Sequence, residues 1–218
     1  MVRGEKMNKK IIKNILDWLI CIIIALILAL LIRYYLLTPT IVQQVSMYPT
    51  LESGDRLLLN RWIRTTDGKL TRGDIVTFEM PSKLEFNDNE IDKDNQVSVY
   101  NKKFNNKLEE FCYYFLELGK TSYIKRVIAL PGEHIVISEQ GDIYINDEKL
   151  EEPYLKEGLK TERSGKFYDL IVPEGYLFLM GDNRQQSMDS RVFGCIPKEK
   201  IEGKVITRFW PFNKIGKV

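Results

Sequence analysis

Serine and lysine residues are the most informative candidates for chemistry in this sequence, because its single histidine is His134. A serine hydroxyl is a poor nucleophile until a neighbouring base removes its proton. A Ser-His-Asp triad would have to use His134, whose neighbours Pro131–Glu133 and Ile135–Ile137 predict a turn entering a strand. We therefore expect His134 at a strand end or on the surface. A lysine held neutral by desolvation is the natural substitute for a histidine base.

Ser46 is notable for its position in the segment Gln44–Leu51, Gln-Val-Ser-Met-Tyr-Pro-Thr-Leu. This segment lies a few residues after a strongly apolar run and opens the polar remainder of the chain. If the apolar run crosses a membrane, any chemistry at Ser46 takes place close to the lipid surface. That location favours substrates that are found at the lipid surface.

Lys125 differs from most other lysines because it lies within an apolar strand pattern, Tyr123–Ala129. Alternation along a strand puts Tyr123, Lys125 and Val127 on one face and Arg126 on the other. One of the two adjacent basic residues must then share a face with apolar neighbours. Burial can lower the pKa of a lysine by several units from about 10.4. The same pattern also fits a strand lysine that faces solvent, so the pattern alone leaves both interpretations open.

A third polar stretch, Gly181–Gly194, follows the apolar strand pattern Leu177–Met180. Its small polar residues are typical of a turn. Asp189 and Arg191 within it could be nothing more than a surface ion pair, which contributes about 0 to 1 kcal/mol to stability. Taken alone, this stretch is also consistent with an exposed loop.

The N-terminal part of the chain has the pattern of a membrane span. Residues 18–37 are apolar apart from Arg33, and about 20 such residues cross a hydrocarbon core of roughly 30 Å. Arg33 can extend its side chain towards the interface. We therefore predict a transmembrane anchor at 18–37. The basic flank at 1–17 predicts that the N-terminus is cytoplasmic, and the domain at 38–218 is then extracytoplasmic. Aromatic residues suited to the two interfaces flank the run: Trp18, Tyr34 and Tyr35.

A cleavable signal peptide begins with a similar pattern. No small-x-small cleavage site follows the apolar run, however, and the bulky residues Arg33–Leu37 stand there instead. The sequence therefore favours a retained anchor in the cell membrane. A mature protein that begins near Thr38 would contradict this interpretation.

Short runs rich in β-branched and aromatic residues dominate the sequence after Thr38, and Gly, Pro and Asp residues separate them. Eight runs are predicted as strands: 41–45, 56–60, 74–79, 123–129, 134–138, 142–146, 176–180 and 202–209. Little helical periodicity accompanies them. The pattern predicts a mainly β fold, an antiparallel barrel or sandwich-like domain behind a single N-terminal transmembrane helix.

Residues 81–122 interrupt this rhythm and are predicted to form an insertion in the β domain. A polar run at 87–95 is typical of a mobile loop, whereas Leu108–Leu118 predicts a short amphipathic helix that ends at Gly119. We expect the aromatic residues of this helix to pack on the domain. The insertion either decorates the domain, restricts substrates or contacts a translocation partner.

Composition argues against several other classes of function. The net charge of +2, from 32 basic and 30 acidic residues, argues against a nucleic-acid partner. A single histidine excludes a multi-histidine metal site, and three cysteines without a Cys-x-x-Cys pair argue against zinc. Cys112 and Cys195 either form a disulfide outside the cytosol or remain, with Cys21, free thiols. Nothing in the sequence calls for a metal or an organic cofactor.

Four segments resemble, in order, the motif boxes of bacterial type I signal peptidases (leader peptidases), a family of serine endopeptidases with a Ser/Lys dyad. The segments are Ser46–Leu51, Arg72–Val76, Tyr123–Glu133 and Gly181–Gly194. They follow an N-terminal anchor, as in the family, and the closing residues 203–213 are also similar to family members. The resemblance covers the chain from Thr38 to its end, except for Met80–Ser122.

The resemblance implies a membrane-anchored endopeptidase of mostly β fold that cuts exported preproteins after small residues, as in Ala-x-Ala. Ser46 would be the nucleophile and Lys125 the general base. Ser187 would orient the lysine, and Asp189 and Arg191 would form an ion pair that braces the site. The turn beneath the site would consist of Gly181, Asp182, Asn183 and Arg184. The implied partners are secretory preproteins, the lipid membrane and the translocation machinery.

The oxyanion hole is where this chain departs from the family pattern. The backbone N–H of Ser46 is the expected first donor. Some family members have a serine or glycine two residues before the nucleophile, whereas this chain has Gln44. The second donor is therefore left open between the side-chain amide of Gln44 and a backbone group.

Two other functions are compatible with parts of the pattern. A self-cleaving Ser/Lys repressor of the related fold would need a DNA-binding module, and a membrane span stands in its place. A catalytically idle, membrane-tethered β scaffold that binds exported chains would be expected to lack Ser46 or Lys125. Both residues are present.

Overall fold

The protein consists of a long N-terminal helix followed by a β domain with two short helices. The structure, a computed structural model, describes residues 2–65, 68–84, 96–156, 158–163 and 165–218. The helices are α1 (Val2–Tyr35), α2 (Lys107–Tyr114) and α3 (Ser190–Phe193). The strands are β1 (Leu37–Ile41), β2 (Arg56–Asn60), β3 (Ile75–Glu79), β4 (Ser122–Ala129), β5 (His134–Ile137), β6 (Ile143–Ile145), β7 (Glu148–Lys149), β8 (Asp169–Ile171), β9 (Tyr176–Met180), β10 (Ile196–Pro197) and β11 (Ile201–Trp210).

Helix α1 is long and apolar enough over Ile12–Tyr35 to cross a membrane. The large apolar side chains between Ile12 and Ile32 that line this part of the helix are exposed. The helix ends at Tyr35, so Leu37, which the sequence places in the anchor, already belongs to β1. The backbone N–H of Arg61 donates to the Leu36 carbonyl at 2.8 Å and joins the connection to the β domain.

Two antiparallel sheets form the β domain. The larger sheet has the strand order β1-β2-β11-β3-β4-β9-β10, and the smaller one has the order β7-β6-β5-β8. Each strand ladder between these named elements is antiparallel. The mainly β, antiparallel fold behind an apolar N-terminal helix is thereby confirmed.

Strand β4 is covered on both of its faces. Ile128 packs in one buried cluster with Ile135 and Ile137 of the smaller sheet. Val127 packs in a second cluster with Phe193 of α3 and residues of β9. A strand covered on both sides tolerates charged side chains only where they find partners. Lys125 and Arg126 lie on this strand.

One predicted strand is wrong, and the other seven are correct to within one residue at each end. Of the strand predicted at 41–45, only Ile41 lies in a strand. The strand lies instead at Leu37–Ile41, where it pairs with β2. The N–H of Val42 still donates to Asp55 at 2.9 Å, and residues 43–45 then leave the sheet. This departure places Ser46 in a turn. The three strands that the sequence pattern missed, β7, β8 and β10, are only two or three residues long.

The predicted insertion contains helix α2, which is shorter than expected. Asn106 caps its N-terminus by accepting a hydrogen bond from the N–H of Glu109 at 2.8 Å. The helix ends at Tyr114 and not at residue 118, because Glu117 (φ 60°) and Gly119 (φ 71°) adopt left-handed conformations that turn the chain. The polar run predicted to be a mobile loop at 87–95 lies outside the described residues.

Candidate active site

Ser46 and Lys125 meet although 79 residues separate them in the sequence. Lys125 Nζ lies 2.7 Å from Ser46 Oγ, within hydrogen-bond distance, and also donates to the Ile124 carbonyl at 3.0 Å. Both residues are almost fully buried, with 5% of Ser46 and 2% of Lys125 exposed. When the amine is neutral, this contact allows Nζ to accept the proton of the serine hydroxyl.

Burial lowers the pKa of Lys125 to about 8. The carboxylates of Asp189 and Asp182 act in the opposite direction, whereas Arg191 lowers the pKa further. At this pKa about a tenth of the amine is neutral at pH 7, roughly 300-fold more than for an ordinary lysine. The protein thus maintains a usable population of free amine next to Ser46.

The strand pairing of β4 explains why Lys125 is buried. Lys125 lies opposite Val76 of β3, and its Nζ is 5.3 Å from the centre of the Tyr123 ring on the same strand face. Arg126 projects from the other face and forms a two-point ion pair with Asp182, at 2.9 and 2.6 Å. Of the two interpretations left open by the sequence, the structure shows the buried lysine and not the solvent-facing one.

The main chain around Ser46 is held by the turn that contains Asn183. The N–H of Asn183 donates to the Ser46 carbonyl at 3.0 Å, and its side-chain amide donates to the Val45 carbonyl at 3.1 Å. On the C-terminal side of the serine, Met47 and Leu51 are completely buried. The nucleophile therefore lies in a turn fixed from two sides.

A glycine is required at position 181, where the stretch 181–187 touches the turn that contains Ser46. A Cβ atom at this position would lie 2.2 Å from Ser187 Oγ and 2.4 Å from the Ser46 carbonyl oxygen. Both distances are shorter than real Cβ contacts, so any side chain would displace one of the loops. The backbone N–H of Gly181 donates to Asp189 Oδ2 at 3.1 Å, which connects this contact to the ion pair behind it.

Asp189 and Arg191 form a buried ion pair and not the surface pair that the pattern also allowed. Two hydrogen bonds join them, Nε to Oδ1 at 2.8 Å and Nη2 to Oδ2 at 2.9 Å, and neither residue is exposed. Burial alone would raise the pKa of Asp189, but the charge and hydrogen bonds of Arg191 hold it below its usual value. Arg191 also donates to the Arg184 carbonyl at 2.8 Å.

Arg184 anchors the other end of the turn. Its guanidinium pairs with the carboxylate of Glu152, with Nη1 3.0 Å from Oε2, and contacts the hydroxyl of Thr161. Sequence reasoning missed Glu152 and Thr161, because neither lies in a motif segment. It included Arg126 in the motif segment Tyr123–Glu133 but did not predict its pairing with Asp182. Its position next to Lys125 was the one feature of the sequence that could have marked Arg126 as a residue near the site.

Ser187 and Gln44 lie near the site in different environments. Ser187 is buried beside Gly181. Its hydroxyl makes no hydrogen bond of good geometry among the described residues, but it lies close enough to Asp189 to help lower the pKa of that carboxyl. The hydrogen bond from Ser187 to Lys125 implied by the resemblance is not formed in this structure. Gln44, two residues before Ser46, is exposed and lines a groove.

A groove of about 360 Å³ is lined by the two chain segments that lead into Ser46 and Lys125. One wall is Thr40–Gln44, the other is Lys120–Ile124, and Thr77 also lines it. Strand β1, at the beginning of the first wall, is an edge strand of the larger sheet. An edge strand offers free backbone groups to which an extended peptide can add as a further strand.

The remaining candidates for chemistry lie elsewhere. His134 begins β5 in the smaller sheet, and its Nε2 is 2.8 Å from Asp169 Oδ1. The cysteines Cys21, Cys112 and Cys195 are all free, so the disulfide that the sequence left open is not formed.

Comparisons with known proteins identify the family of the chain. The family model "Signal peptidase, peptidase S26" matches residues 15–210. The chain is 36% identical over 224 residues to signal peptidase I of Bacillus licheniformis, which covers 100% of this chain and 99% of that protein. It is 36% identical over 218 residues to signal peptidase I T of Bacillus subtilis strain 168. That match covers 97% of this chain and 93% of the relative. A crystal structure of a signal peptidase I from Enterococcus faecalis V583 has 26% identity and a TM-score of 0.40, and covers 62% of this chain and 96% of that one.

These sequence matches define the class of the protein, which is a serine endopeptidase. The chain belongs to the signal peptidase family, peptidase S26. Its activity is therefore the removal of signal peptides, and the family resemblance drawn from the motif segments is confirmed.

Proposed function

We propose that this protein is a membrane-anchored signal peptidase that cleaves secretory preproteins by acyl transfer through a dyad of Ser46 and Lys125. One observation carries the proposal: Ser46 Oγ lies 2.7 Å from the Nζ of a buried lysine whose pKa is lowered to about 8. A nucleophile in contact with a base that is available at neutral pH meets the requirement for covalent catalysis.

The proposed reaction has two stages. Neutral Lys125 takes the proton of Ser46 as Oγ attacks the scissile carbonyl, and the protonated lysine then gives a proton to the leaving amine. A water molecule activated by Lys125 releases the acyl group from Ser46. The developing oxyanion needs donors worth about 3 to 4 kcal/mol each. The backbone N–H of Ser46 is the first, and the Gln44 amide or a backbone group supplies the second.

The supporting residues position this dyad. The turn from Gly181 to Arg184 holds the backbone of Ser46, and the pair of Asp189 and Arg191 braces that turn. We assign to Ser187 the orientation of Lys125 during turnover, because its buried hydroxyl lies beside Gly181, where the turn 181–184 meets the carbonyl of Ser46.

The substrate is an extended peptide with small residues at the cleavage site, as in Ala-x-Ala. The groove between Thr40–Gln44 and Lys120–Ile124 suits an added strand. Because Ser46 and Lys125 are almost fully buried, little room remains beside the scissile carbonyl for large side chains. Secretory preproteins with small residues before the cut meet both conditions.

Helix α1 serves as a single-pass anchor in the cell membrane. Its apolar side chains between Ile12 and Ile32 are exposed, and such a surface is stable in lipid. The basic residues of segment 1–17 orient this end towards the cytoplasm. The catalytic domain then faces outwards, where it meets exported chains and the translocation machinery.

A processing assay tests the proposed function. Detergent-solubilised wild type, Ser46→Ala and Lys125→Ala are incubated with one preprotein that has an Ala-x-Ala site, and the products are sequenced from their N-termini. We expect wild type to cut after the site and both variants to be inactive. Lys149→Ala, at an exposed lysine, is the matched control and should retain activity. Efficient cleavage by either dyad variant would contradict the assignment.

A further inference from the structure

The last turn of α1 is held by a segment of the insertion, residues 107–118. Glu117 contacts two arginines from different parts of the chain: Arg33 of α1 at 3.1 Å and Arg61, after β2, at 2.5 Å. Burial alone would raise the pKa of Glu117, but the two arginines hold it below its usual value. The carboxylate is therefore charged at neutral pH and links the helix to the β domain.

Aromatic contacts reinforce this ionic link. The ring of Tyr34 stacks on Phe115, with centroids 4.7 Å apart and planes inclined by 28°, and Phe115 stacks in turn on Phe111 at 4.9 Å. The guanidinium of Arg64 lies 4.7 Å from the centre of the Tyr34 ring. Residues 33 and 34 of α1 are thus engaged by both the insertion and the β domain, at the level where the helix leaves the lipid.

The same segment is also joined to the substrate groove. Beyond Glu117 the chain continues into Lys120, whose Nζ lies 2.6 Å from Glu202 Oε1, and both side chains are only 4% exposed. Tyr113 of α2 donates to Glu79 Oε1 at 3.1 Å. Lys120 begins one wall of the groove. One short segment therefore contacts the anchor at one side and continues into a groove wall at the other.

We propose that residues 107–118 form a brace that fixes the anchor relative to the substrate groove, with Glu117 and Phe115 as its positioning residues. The brace sets the height above the lipid at which Ser46 meets the cleavage site of a membrane-inserted preprotein. This inference rests on the proposed function, because it takes α1 as the membrane anchor and Ser46 as the nucleophile.

The brace matters for one kind of substrate only. A preprotein held in the same bilayer presents its cleavage site at a fixed height above the lipid. Without the brace, the β domain would pivot on α1, and Ser46 would be aligned with the cleavage site for only a fraction of the time. The effective concentration of the site then falls. A short soluble peptide reaches the groove from solution and is indifferent to how the anchor is held.

The experiment compares these two substrates with the full-length protein in lipid vesicles. The kcat/KM is measured for a preprotein inserted in the same vesicles and for a soluble peptide that carries the same cleavage site. We expect the double variant Glu117→Gln, Phe115→Ala to lose about tenfold on the preprotein and less than about twofold on the peptide. Glu110→Gln, an exposed glutamate of α2, and Phe115→Tyr, which keeps the ring, should behave like wild type on both substrates.

Two outcomes would overturn the brace. An equal loss on both substrates would show that the segment supports the active site or the fold, and an unchanged rate on both would show that the contacts are dispensable. Failure of the proposed function has a different signature, because Ser46→Ala would then still cut both substrates.

Discussion

The chemistry of Lys125 follows from the position of its side chain on strand β4. Strand pairing buries the amine, burial lowers its pKa to about 8, and Ser46 Oγ lies within hydrogen-bond distance of it. Arg126, the next residue, points the other way and is neutralised by Asp182. Two adjacent basic residues thus have different tasks because a strand alternates its side chains.

The pH dependence of the reaction should report the pKa of Lys125. Because only the neutral amine can accept a proton from Ser46, we expect kcat/KM for a soluble peptide to rise with pH and level off above about 8. An ordinary lysine would let the rate rise until about pH 10. A pH–rate profile of the wild type decides between the two, and a continued rise through pH 9 would contradict a lowered pKa.

The lowered pKa of Lys125 should also make the free energy of unfolding depend on pH. The pKa of Lys125 in the folded state is about 8, below its unfolded value of 10.5, so the unfolded chain binds the proton more tightly. Folding is therefore penalised by about 3 kcal/mol below pH 8, and the penalty disappears as the pH rises from 8 to about 10.5. We expect Lys125→Met to unfold at a higher temperature than wild type at pH 7.

Thermal unfolding of both proteins in detergent, at pH 7 and at pH 10, measures this effect. The difference in Tm between Lys125→Met and wild type should shrink at the higher pH. A difference that is independent of pH would show that Lys125 has an ordinary pKa in the folded protein.

At the scale of elements, the turn 181–184 and the turn of Ser46 fit together through a glycine. We expect Gly181→Ala to lower kcat/KM at least about 100-fold, because the added Cβ would displace the Ser46 carbonyl and misplace the nucleophile. Gly175→Ala is the control: its φ of 81° disfavours alanine, but its Cβ would meet open space, so it carries a backbone cost without a steric one. The control should lose some stability, seen as a lower Tm, and keep its activity.

The ion pair beneath the turn should contribute far more to stability than the surface pairs do. Removing one partner of a buried pair leaves an uncompensated charge and costs about 3 to 5 kcal/mol, so Asp189→Asn should lower the Tm strongly. Glu52→Gln removes a partner from the exposed pair with Lys214 and should cost less than about 1 kcal/mol. Similar Tm values for the two variants would contradict the structural role of Asp189.

Sequence patterns predicted most strands of the domain because alternation and turn residues are local signals. They misplaced the first strand, because Pro39 makes Leu37–Ile41 look less like a strand than residues 41–45. Pairing with β2, which is not a local signal, decides between the two segments. The end of α2 was also misjudged, because Glu117 is an ordinary helix former and its left-handed φ depends on tertiary contacts.

The site was predictable to a similar degree. The motif resemblance identified Ser46, Lys125 and the turn residues, and alternation indicated that one basic residue of β4 shares an apolar face. The partners Glu152 and Thr161 were missed because their link to Arg184 is non-local: 32 and 23 residues separate them from it. No spacing rule marks such pairs before the chain is folded.

At the scale of the whole molecule, the proposed anchor and groove would place catalysis at the lipid surface. The chain passes from Tyr35, the end of α1, to Ser46 through one strand and one turn. The brace formed by residues 107–118 adds a second connection between α1 and the β domain. This arrangement suits a substrate that is itself held in the membrane.

The most direct test of the central claim is to locate the acyl group during turnover. Wild type and Lys125→Ala are mixed with a preprotein or soluble peptide, quenched in acid after a fraction of a turnover, digested and analysed by tandem mass spectrometry. We predict that wild type carries the acyl group on Ser46 and that Lys125→Ala carries none. An acyl group on another residue, or an equally rapid acylation of Ser46 without Lys125, would contradict the Ser46/Lys125 dyad.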